Sequence, residues 1–471
     1  MSTPRTTDGS HLRDEVLEVA RDLIRLDTTN AREPGLGNET RCAAYLQDYL
    51  QRNGVEAELV ARDPDRANVV ARIPGGGGFE TVAERPPQPP AGAGRPPQPP
   101  GAAESLAFVG HTDVVPCDPR DWTHPPFEGV VDDDGYLWGR GAVDMKNEVA
   151  ARAVAMAELA RSGFRPSGDL WFIAVADEED GFADVGMRWL LEERPDIRPT
   201  HSVNEGGGER IPLADGREVV GYSVGEKGTY PVRVVADGEA GHASVPTLGR
   251  NAVPLLAQLL PRLGDGMPEL APAPEAVAML RTLLDRDEPD LDRALVEVDL
   301  LHPGMGDQIR ALMGSTCAPT MLWASNKRNV MPARATAEVD IRVLPGTTEE
   351  DVEAHVRALL GDDLPYTLEW PEAMVRASSS PVDGVVPAAI AAFLAAEGDA
   401  GVLLPTLCSG FTDSNFLRAA GGTHAYGFSP FRSTPYDVLE AGYHNADERV
   451  HVDDLLLSTR FHLDLARRVL G

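Results

Sequence analysis

The chain has 471 residues, too many for one compact core, so two domains are expected. Its composition, 42% hydrophobic and 25% charged, is that of an ordinary globular protein, while a formal net charge of -31 argues against nucleic acid and anionic membrane as partners, since both need a basic face. No apolar run approaches the roughly 18 residues of a membrane span and the N-terminus has no secretory apolar core, so a cytoplasmic protein is expected; Cys42, Cys117, Cys317 and Cys408 lack CxxC spacing and fit reduced thiols.

Residues 11 to 26 repeat apolar positions at three and four and predict an amphipathic helix. A polar loop, 27 to 38, leads to a second helix, about 39 to 53, ending at Gly54, where a left-handed cap is expected. Strands follow at about 55 to 61 and 67 to 73. Residues 75 to 104 carry RPPQPP twice, from Arg85 and from Arg95; such a Pro/Gly tract cannot build helix or sheet and is expected as a disordered loop expansion. A ligand for a proline-recognising domain is the competing reading of the repeats.

Leu106 to Pro116 predicts a strand with His111 and Asp113 at its close, on one face by alternation. A metal-binding imidazole usually has its second nitrogen held by a carboxylate or carbonyl, and Asp113 is placed for that. In WGRGAVDMK, Gly139 and Gly141 permit a tight turn, and Asp144 stands just before a helix expected over 146 to 161. Leu170 to Ala176 reads as a buried parallel strand. It runs into Asp177, Glu178, Glu179 and Asp180 at the sheet edge where open α/β folds bind ligands, and four adjacent carboxylates call for a cation nearby. Another strand, about 199 to 204, ends at Glu205. Singly, His111 reads as a core histidine, Asp144 as a helix cap and the acids as a solvated loop; together, at successive strand ends, they point to a site.

From about 225 the character changes. A strand runs into a glycine-rich turn bearing His242, and a helix over 251 to 263 and mostly helical material over 265 to 315 follow. Strands are expected at 318 to 324 and 335 to 346. In the second, Val339, Ile341 and Val343 face one way and Glu338, Asp340 and Arg342 the other, with Arg342 emerging near Asn329. A helix over 348 to 360 and a strand over 365 to 370 complete a βαββαβ insert of ferredoxin-like type. The chain returns through a helix over 385 to 396, the turn CSGFTDSNFLR, a strand near 423 to 428, and His444 in the turn before a final helix starting near Val452.

FVGHTDVVP, GRGAVDMKNEVAA, VADEEDG, NEGGG, GEAGHASVP with Asn251 after it, NVMPARATAEVDIRVLPG, GFTDSNF and HNADERV resemble, in order, the motifs of the M20 metallopeptidase family. That family includes glutamate carboxypeptidase, carboxypeptidase S, aminoacylase-1, dipeptidases and succinyl-diaminopimelate desuccinylase. The resemblance runs from about residue 12 to the C-terminus, leaving out the proline-rich loop. It implies an α/β, zinc-peptidase-like catalytic domain with a mixed, mostly parallel sheet flanked by helices, in two parts, 11 to 224 and 375 to 471. A ferredoxin-like α+β lid and dimerisation domain, 225 to 374, is inserted between them.

By motif match the resemblance implies two Zn2+ ions per subunit, with Co2+ or Mn2+ as substitutes. His111 and Glu205 would ligate one, His444 and Glu179 the other, and Asp144 would bridge them, a donor set suited to zinc. Glu178 matches the general base that takes a proton from the attacking water, Asp113 the partner of His111, and His242 a lid histidine that stabilises the oxyanion in the partner subunit's site. Arg342 and Asn329 match the pair that binds the substrate carboxylate, with Gly410 also at the substrate, and the peptide bond after Asp144 is expected to be cis. The implied activity is hydrolysis of an amide or peptide bond next to a free carboxylate, by a homodimeric carboxypeptidase or dipeptidase. An N-acyl amino acid deacylase uses the same machinery on another acyl group. A reading from a different class is a non-catalytic metal-binding scaffold that docks partners through the RPPQPP repeats. The helical addition at 265 to 315 and NEGGG resemble the carboxypeptidase S and aminoacylase-1 branch more than the desuccinylase branch.

Overall fold

The structure, a computed structural model, describes residues 9–30, 37–76, 104–264, 273–287 and 290–471. The expected proline-rich loop, apart from residues 75, 76 and 104, lies outside them. In chain order the first elements are α1 (Gly9–Arg25), α2 (Thr40–Arg52), β1 (Glu56–Val60), β2 (Asn68–Ile73), β3 (Leu106–His111), β4 (Val130–Val131), β5 (Tyr136–Trp138), α3 (Lys146–Arg161), β6 (Leu170–Val175), α4 (Met187–Glu193), β7 (His201–Asn204), β8 (Gly207–Pro212) and β9 (Glu218–Glu226). Next come β10 (Gly228–Thr229), β11 (Val232–Asp237), β12 (Gly241–His242), α5 (Ala252–Leu259), α6 (Pro274–Leu284), α7 (Leu291–Leu301), α8 (Met305–Ala311), β13 (Thr316–Trp323), β14 (Val330–Met331), β15 (Arg334–Val343), α9 (Glu349–Leu360), β16 (Tyr366–Glu369) and β17 (Ser378–Ser379). The chain ends with α10 (Val385–Ala396), β18 (Val402–Cys408), α11 (Ser414–Gly421), β19 (His424–Gly427), α12 (Tyr436–Gly442), β20 (Arg449–His451) and α13 (Val452–Leu470).

Two units emerge. The first holds residues up to Val224, Ser380–Leu404 and Thr412–Gly471; the second holds Gly225–Ser379 and Pro405–Phe411. The second unit therefore keeps 375–379 and 405–411, which the expected boundary at 374 assigned elsewhere. Backbone pairing is the reason: Val375 bridges Thr229, Ser378 and Ser379 pair with Glu226 and Gly225, and Lys227 N donates to the Cys408 carbonyl at 2.9 Å.

The sheet of the first unit runs β1-β2-β6-β3-β7-β19-β9, with β8 paired to β9. β3 lies parallel to β6 and β7, and β7 parallel to β19, so their C-terminal ends share one edge. Both faces are covered, which explains the unbroken apolar run LWFIAV of β6. Leu170, Phe172 and Ala174 join the core with α1, α2, α3, α10 and α13, while Trp171, Ile173 and Val175 join Met187 and Leu190 of α4 and Leu417 of α11. α11 stands where the sequence suggested only a turn: eight residues carry too short a pattern to announce a helix, but Leu417 and Arg418 bury one face and Gly422, φ 64°, caps it.

α3 is buried almost all round. It lies against α1 and α13 and carries charges into the core. Lys146 Nζ donates to the carbonyls of Leu23 (3.0 Å) and Leu26 (2.7 Å) at the end of α1. Arg152, fully buried, donates to Glu148 Oε2 at 2.6 Å, to His462 Nε2 at 3.1 Å and to the Val109 carbonyl.

In the second unit the order β16-β11-β15-β13, all antiparallel, with α5 between β11 and β13 and α9 between β15 and β16, is the ferredoxin-like arrangement expected for the insert. Burial alternates along β15, with Val339, Ile341 and Val343 inside. Thr348 caps α9 through a reciprocal capping box with Asp351. The 265 to 315 addition contains α6, α7 and α8; residues 265–272 and 288–289 lie outside the described residues.

Arg152→Met is expected to destabilise the first unit by about 3–5 kcal/mol, because Glu148 stays buried without its cation. Urea unfolding should show a lower midpoint at unchanged slope; an unchanged midpoint would mean the pair is dispensable.

Candidate metal centre

The shared strand edge gathers the acids and imidazoles singled out in the sequence. His111 closes β3, Glu178 and Glu179 follow β6, and Glu205 follows β7; Asp144 comes from the loop before α3 and His444 from the loop between α12 and β20. His111 Nε2 lies 3.2 Å from Asp144 Oδ1, 3.5 Å from Glu205 Oε2 and 3.9 Å from Glu178 Oε2. His444 Nε2 lies 3.1 Å from Asp144 Oδ2 and 3.1 Å from Glu179 Oε2. Asp144 thus offers one oxygen to each imidazole. Its peptide bond to Met145 is cis, as expected. His444 (φ 53°) and Asp177 (φ 62°) both hold left-handed backbone, uncommon for residues with a Cβ.

Electrostatics follow from this crowding. Burial, together with the Glu205 carboxylate, pushes Glu178 well above the usual carboxylate range, and burial pushes Glu179 to about 7 against the opposing hydrogen bond from His444. Hydrogen bonds to Asp144 and Glu179 raise His444 to about 10. Burial opposes charge on His111, but Glu205, Asp113 and Asp144 outweigh it and hold the ring well above its usual range. Asp144 is held low because the two imidazoles outweigh its own burial.

The donors fit a metal. Glu179 Oε1 is buried with no hydrogen-bond partner among the described residues. Donor atoms of His111, Asp144 and Glu179, and of His111, Glu178 and Glu205, lie within 4.8 Å of one another in each group. Imidazole nitrogen with carboxylate oxygen suits zinc and also manganese or cobalt. Glu178 falls within the second of these groups, its Oε2 3.9 Å from His111 Nε2.

Two buried carboxylates, Asp113 and Glu448, build the cradle chiefly by accepting backbone N–H groups. β3 stops at His111, so strand alternation does not carry Asp113 as expected; its backbone carbonyl, 3.0 Å from His111 Nδ1, is nearer than its carboxylate at 3.5 Å. That carboxylate instead accepts from the backbone N–H of Glu178 (3.2 Å) and Glu179 (3.0 Å) and from Asn30 Nδ2 (2.9 Å). Glu448, fully buried, accepts from the N–H of Gly141 (2.9 Å), Val143 (2.6 Å) and Asp144 (2.9 Å) and from Arg140 Nη1 (2.7 Å). Gly141 is required there, since at φ 89° a Cβ would lie 2.9 Å from Lys146 Cδ. Asp177, the first of the four acids, turns away toward Asn30 (3.3 Å) and Arg66 (3.5 Å). Sequence reasoning gave no role to Glu448, Asn30 or Arg66. Glu448 lay within HNADERV, four residues after His444, but nothing in the sequence marks it as buried.

The remaining expected residues belong to the second unit. His242 pairs with Val330 in the β12–β14 ribbon, its Nδ1 2.6 Å from Ser244 Oγ, and the Asn329 carbonyl accepts from Ala243 N at 3.1 Å. Arg342 is not near Asn329. It pairs with Thr316 at one end of β15, whereas the β13–β15 connection bearing Asn329 leaves the other end, where Trp323 faces Thr336. Six residues of strand separate the two ends, about 20 Å. Arg342 Nε donates to Asp340 Oδ2 at 2.9 Å. Gly410 follows β18, in the Pro405–Phe411 segment of the second unit.

A model of peptidase family M20/M25/M40 matches residues 107–468. A probable carboxypeptidase S-like protein of Dictyostelium discoideum is 30% identical over 282 residues, 55% of this chain and 51% of that protein, so the match spans about half of that relative. A succinyl-diaminopimelate desuccinylase of Methylobacterium radiotolerans is 28% identical over 458 residues, 94% of each chain. Among solved structures, an M20 family metallo-carboxypeptidase from Sulfolobus solfataricus is similar with a TM-score of 0.66 at 20% identity, covering 97% of this chain and 99% of that one. Among the described residues no helix is long and apolar enough to cross a membrane.

Glu448→Gln is expected to weaken metal binding about 10- to 100-fold, since the amide replaces acceptor oxygen with N–H groups that face the loop's own donors. Competition against a chelator reads this directly. Unchanged affinity would show that the Asp144 loop holds its shape without the carboxylate.

Proposed function

The chain belongs to peptidase family M20/M25/M40 and is a metal-dependent hydrolase, and on that premise we propose that it cleaves an amide bond next to a free carboxylate, as a carboxypeptidase or dipeptidase with two zinc ions. The observation that carries this reading is Asp144, with one oxygen 3.2 Å from His111 Nε2 and the other 3.1 Å from His444 Nε2. In this reading His111, Glu205 and Asp144 would hold one ion, and His444, Glu179 and Asp144 the other. Zinc held there would polarise a carbonyl and lower the pKa of water from about 15.7 to about 7. Glu178 Oε2 takes a proton from the attacking water and passes it to the leaving amine. Asp113 fixes the tautomer of His111 and aims Glu178 and Glu179 through their backbone N–H groups. Arg342, with its planar fork of donors, binds the substrate carboxylate, which requires exchange of its Asp340 contact.

A second reading, an N-acyl amino acid deacylase, is favoured by the similarity over 94% of both chains to an enzyme named as a desuccinylase. Amine release from a panel of dipeptides and of N-acetyl, N-succinyl and long-chain N-acyl amino acids decides between them. Each member is tested with its carboxylate free and capped as the amide. Turnover confined to free-carboxylate members supports the reaction class, and the preferred acyl group selects the reading. Equal turnover of capped members would remove the carboxylate requirement.

The reading includes a homodimer through the second unit. β13 is an edge strand with exposed Met321, Leu322 and Trp323, an apolar edge of the kind that pairs with another strand. His242 and Asn329 in that assembly serve the partner subunit's site.

Glu178→Ala is expected to keep its metal, measured by elemental analysis, and to lose turnover by about three orders of magnitude or more. Loss of metal together with activity would make Glu178 a ligand. His242→Ala and Glu178→Ala should each be inactive alone. Mixed and allowed to exchange, they should regain about a quarter of wild-type turnover, since half the chains are in mixed dimers and each of those has one intact site. No recovery on mixing would place His242 outside the partner's chemistry.

A further inference from the structure

The two imidazoles of the centre are held in different ways. His111 closes β3 with its side chain 1% exposed and Nδ1 3.0 Å from the Asp113 carbonyl, so packing and a hydrogen bond fix the ring. His444 has its side chain 58% exposed, on left-handed backbone in the turn between α12 and β20. Its reach to Asp144 and Glu179 therefore depends on how that turn is anchored. After His444 the anchors are Asp447, which accepts from Thr123 N at 2.6 Å and Thr123 Oγ1 at 2.8 Å, and Glu448 under the Asp144 loop. Before it, the anchor is the side chain of Tyr443, whose Oη donates to Glu209 Oε1 at 2.9 Å. The Tyr443 ring packs against the core of the first unit.

Glu209 reaches Tyr443 from a bulge in β8. From Gly207 to Arg210 the strand advances three residues while β9 advances two, from Tyr222 to Val220, and the extra residue re-aims the side chains of that stretch. Gly208, at φ 105°, has no room for a Cβ, which would overlap the Ser429 carbonyl. The bulge is also tied to the chain after β19: Ser429 N donates to the Gly207 carbonyl and Phe431 N to the Gly208 carbonyl, each at 3.0 Å. The run from Glu205 to Glu209 thus has an acid at each end. Glu205 lies 3.5 Å from His111 Nε2, and Glu209 holds the residue next to His444.

We propose that Glu209 and Tyr443 are a positioning pair that sets the reach of His444 toward its ion, and that the glycine bulge ties this histidine to the strand end bearing a ligand of the other ion. The proposal rests on the two-zinc reading above. The pair acts through His444 and supplies no ligand itself. Without the hydrogen bond the turn is anchored on one side only, so His444 loses alignment while His111 and Glu205 keep theirs.

Competition of the full chain against a chelator, read for each bound Zn2+, tests this. His444→Ala identifies the ion that His444 holds. Tyr443→Phe, which keeps the packed ring, and Glu209→Leu are each expected to weaken that ion about 10-fold and to leave the other at wild-type affinity. Glu209→Gln keeps Oε1 as an acceptor and should bind both ions as wild type does. In the His444→Ala background, Tyr443→Phe should change nothing further. Wild-type affinity in Tyr443→Phe would overturn the proposal, as would equal weakening of both ions or a Glu209→Gln chain no better than Glu209→Leu, since these are the marks of a pair that only stabilises the fold. A wild-type chain that binds no Zn2+ would fail differently, overturning the two-zinc reading and the proposal with it.

Discussion

Like charges forced together at one sheet edge are the constraint on which the first unit depends. Asp144, Glu178, Glu179 and Glu205 meet around His111 and His444, and burial drives Glu178 and Glu179 toward their neutral forms. A dication offsets that repulsion in a way the two imidazoles cannot, because a proton on Nε2 occupies the very position from which a ligand must donate. The site is therefore organised against its own electrostatics by the chain around it.

That organisation comes largely from backbone N–H groups. Asp113 collects the amides of Glu178 and Glu179, and Glu448 those of Gly141, Val143 and Asp144. Each carboxylate thereby fixes the course of a loop rather than a single side chain, and the loops in turn aim the groups that face the centre. Charge-assisted bonds of this kind are stronger than neutral ones. Lys146 completes the cradle, binding its amide N–H to the Gly141 carbonyl at 2.9 Å and the end of α1 through Nζ. Lys146 at the start of α3 and the Asp144 loop are thus parts of one hydrogen-bonded framework.

In the second unit, strand length does the separating. β15 keeps Arg342 at one end and leaves His242 and Asn329 at the other, so one copy of the insert holds two sets of polar groups far apart. A βαββαβ unit with an apolar outer edge strand is consistent with both facts: its sheet sets the distance, and its edge offers a surface for a second copy.

The sequence alone determined the periodic and the local. Amphipathic α1 and α2, the all-apolar β6, the alternation of β15 and the ferredoxin-like insert are legible because side-chain period reports secondary structure directly. His111, Asp144, Glu178, Glu179 and Glu205 were legible because acids and a histidine at successive strand ends have no reason to recur without a site, and the resemblance to the family's motifs added His444. Tertiary structure alone decided what depends on burial and on partners distant in sequence. It showed Glu448 under the Asp144 loop, 304 residues away; Asp113 serving amides more than an imidazole; Arg342 parted from Asn329; and α11 in place of a turn. A carboxylate looks the same in sequence whether it meets water, a metal or a backbone amide, and only the fold determines which of these it meets.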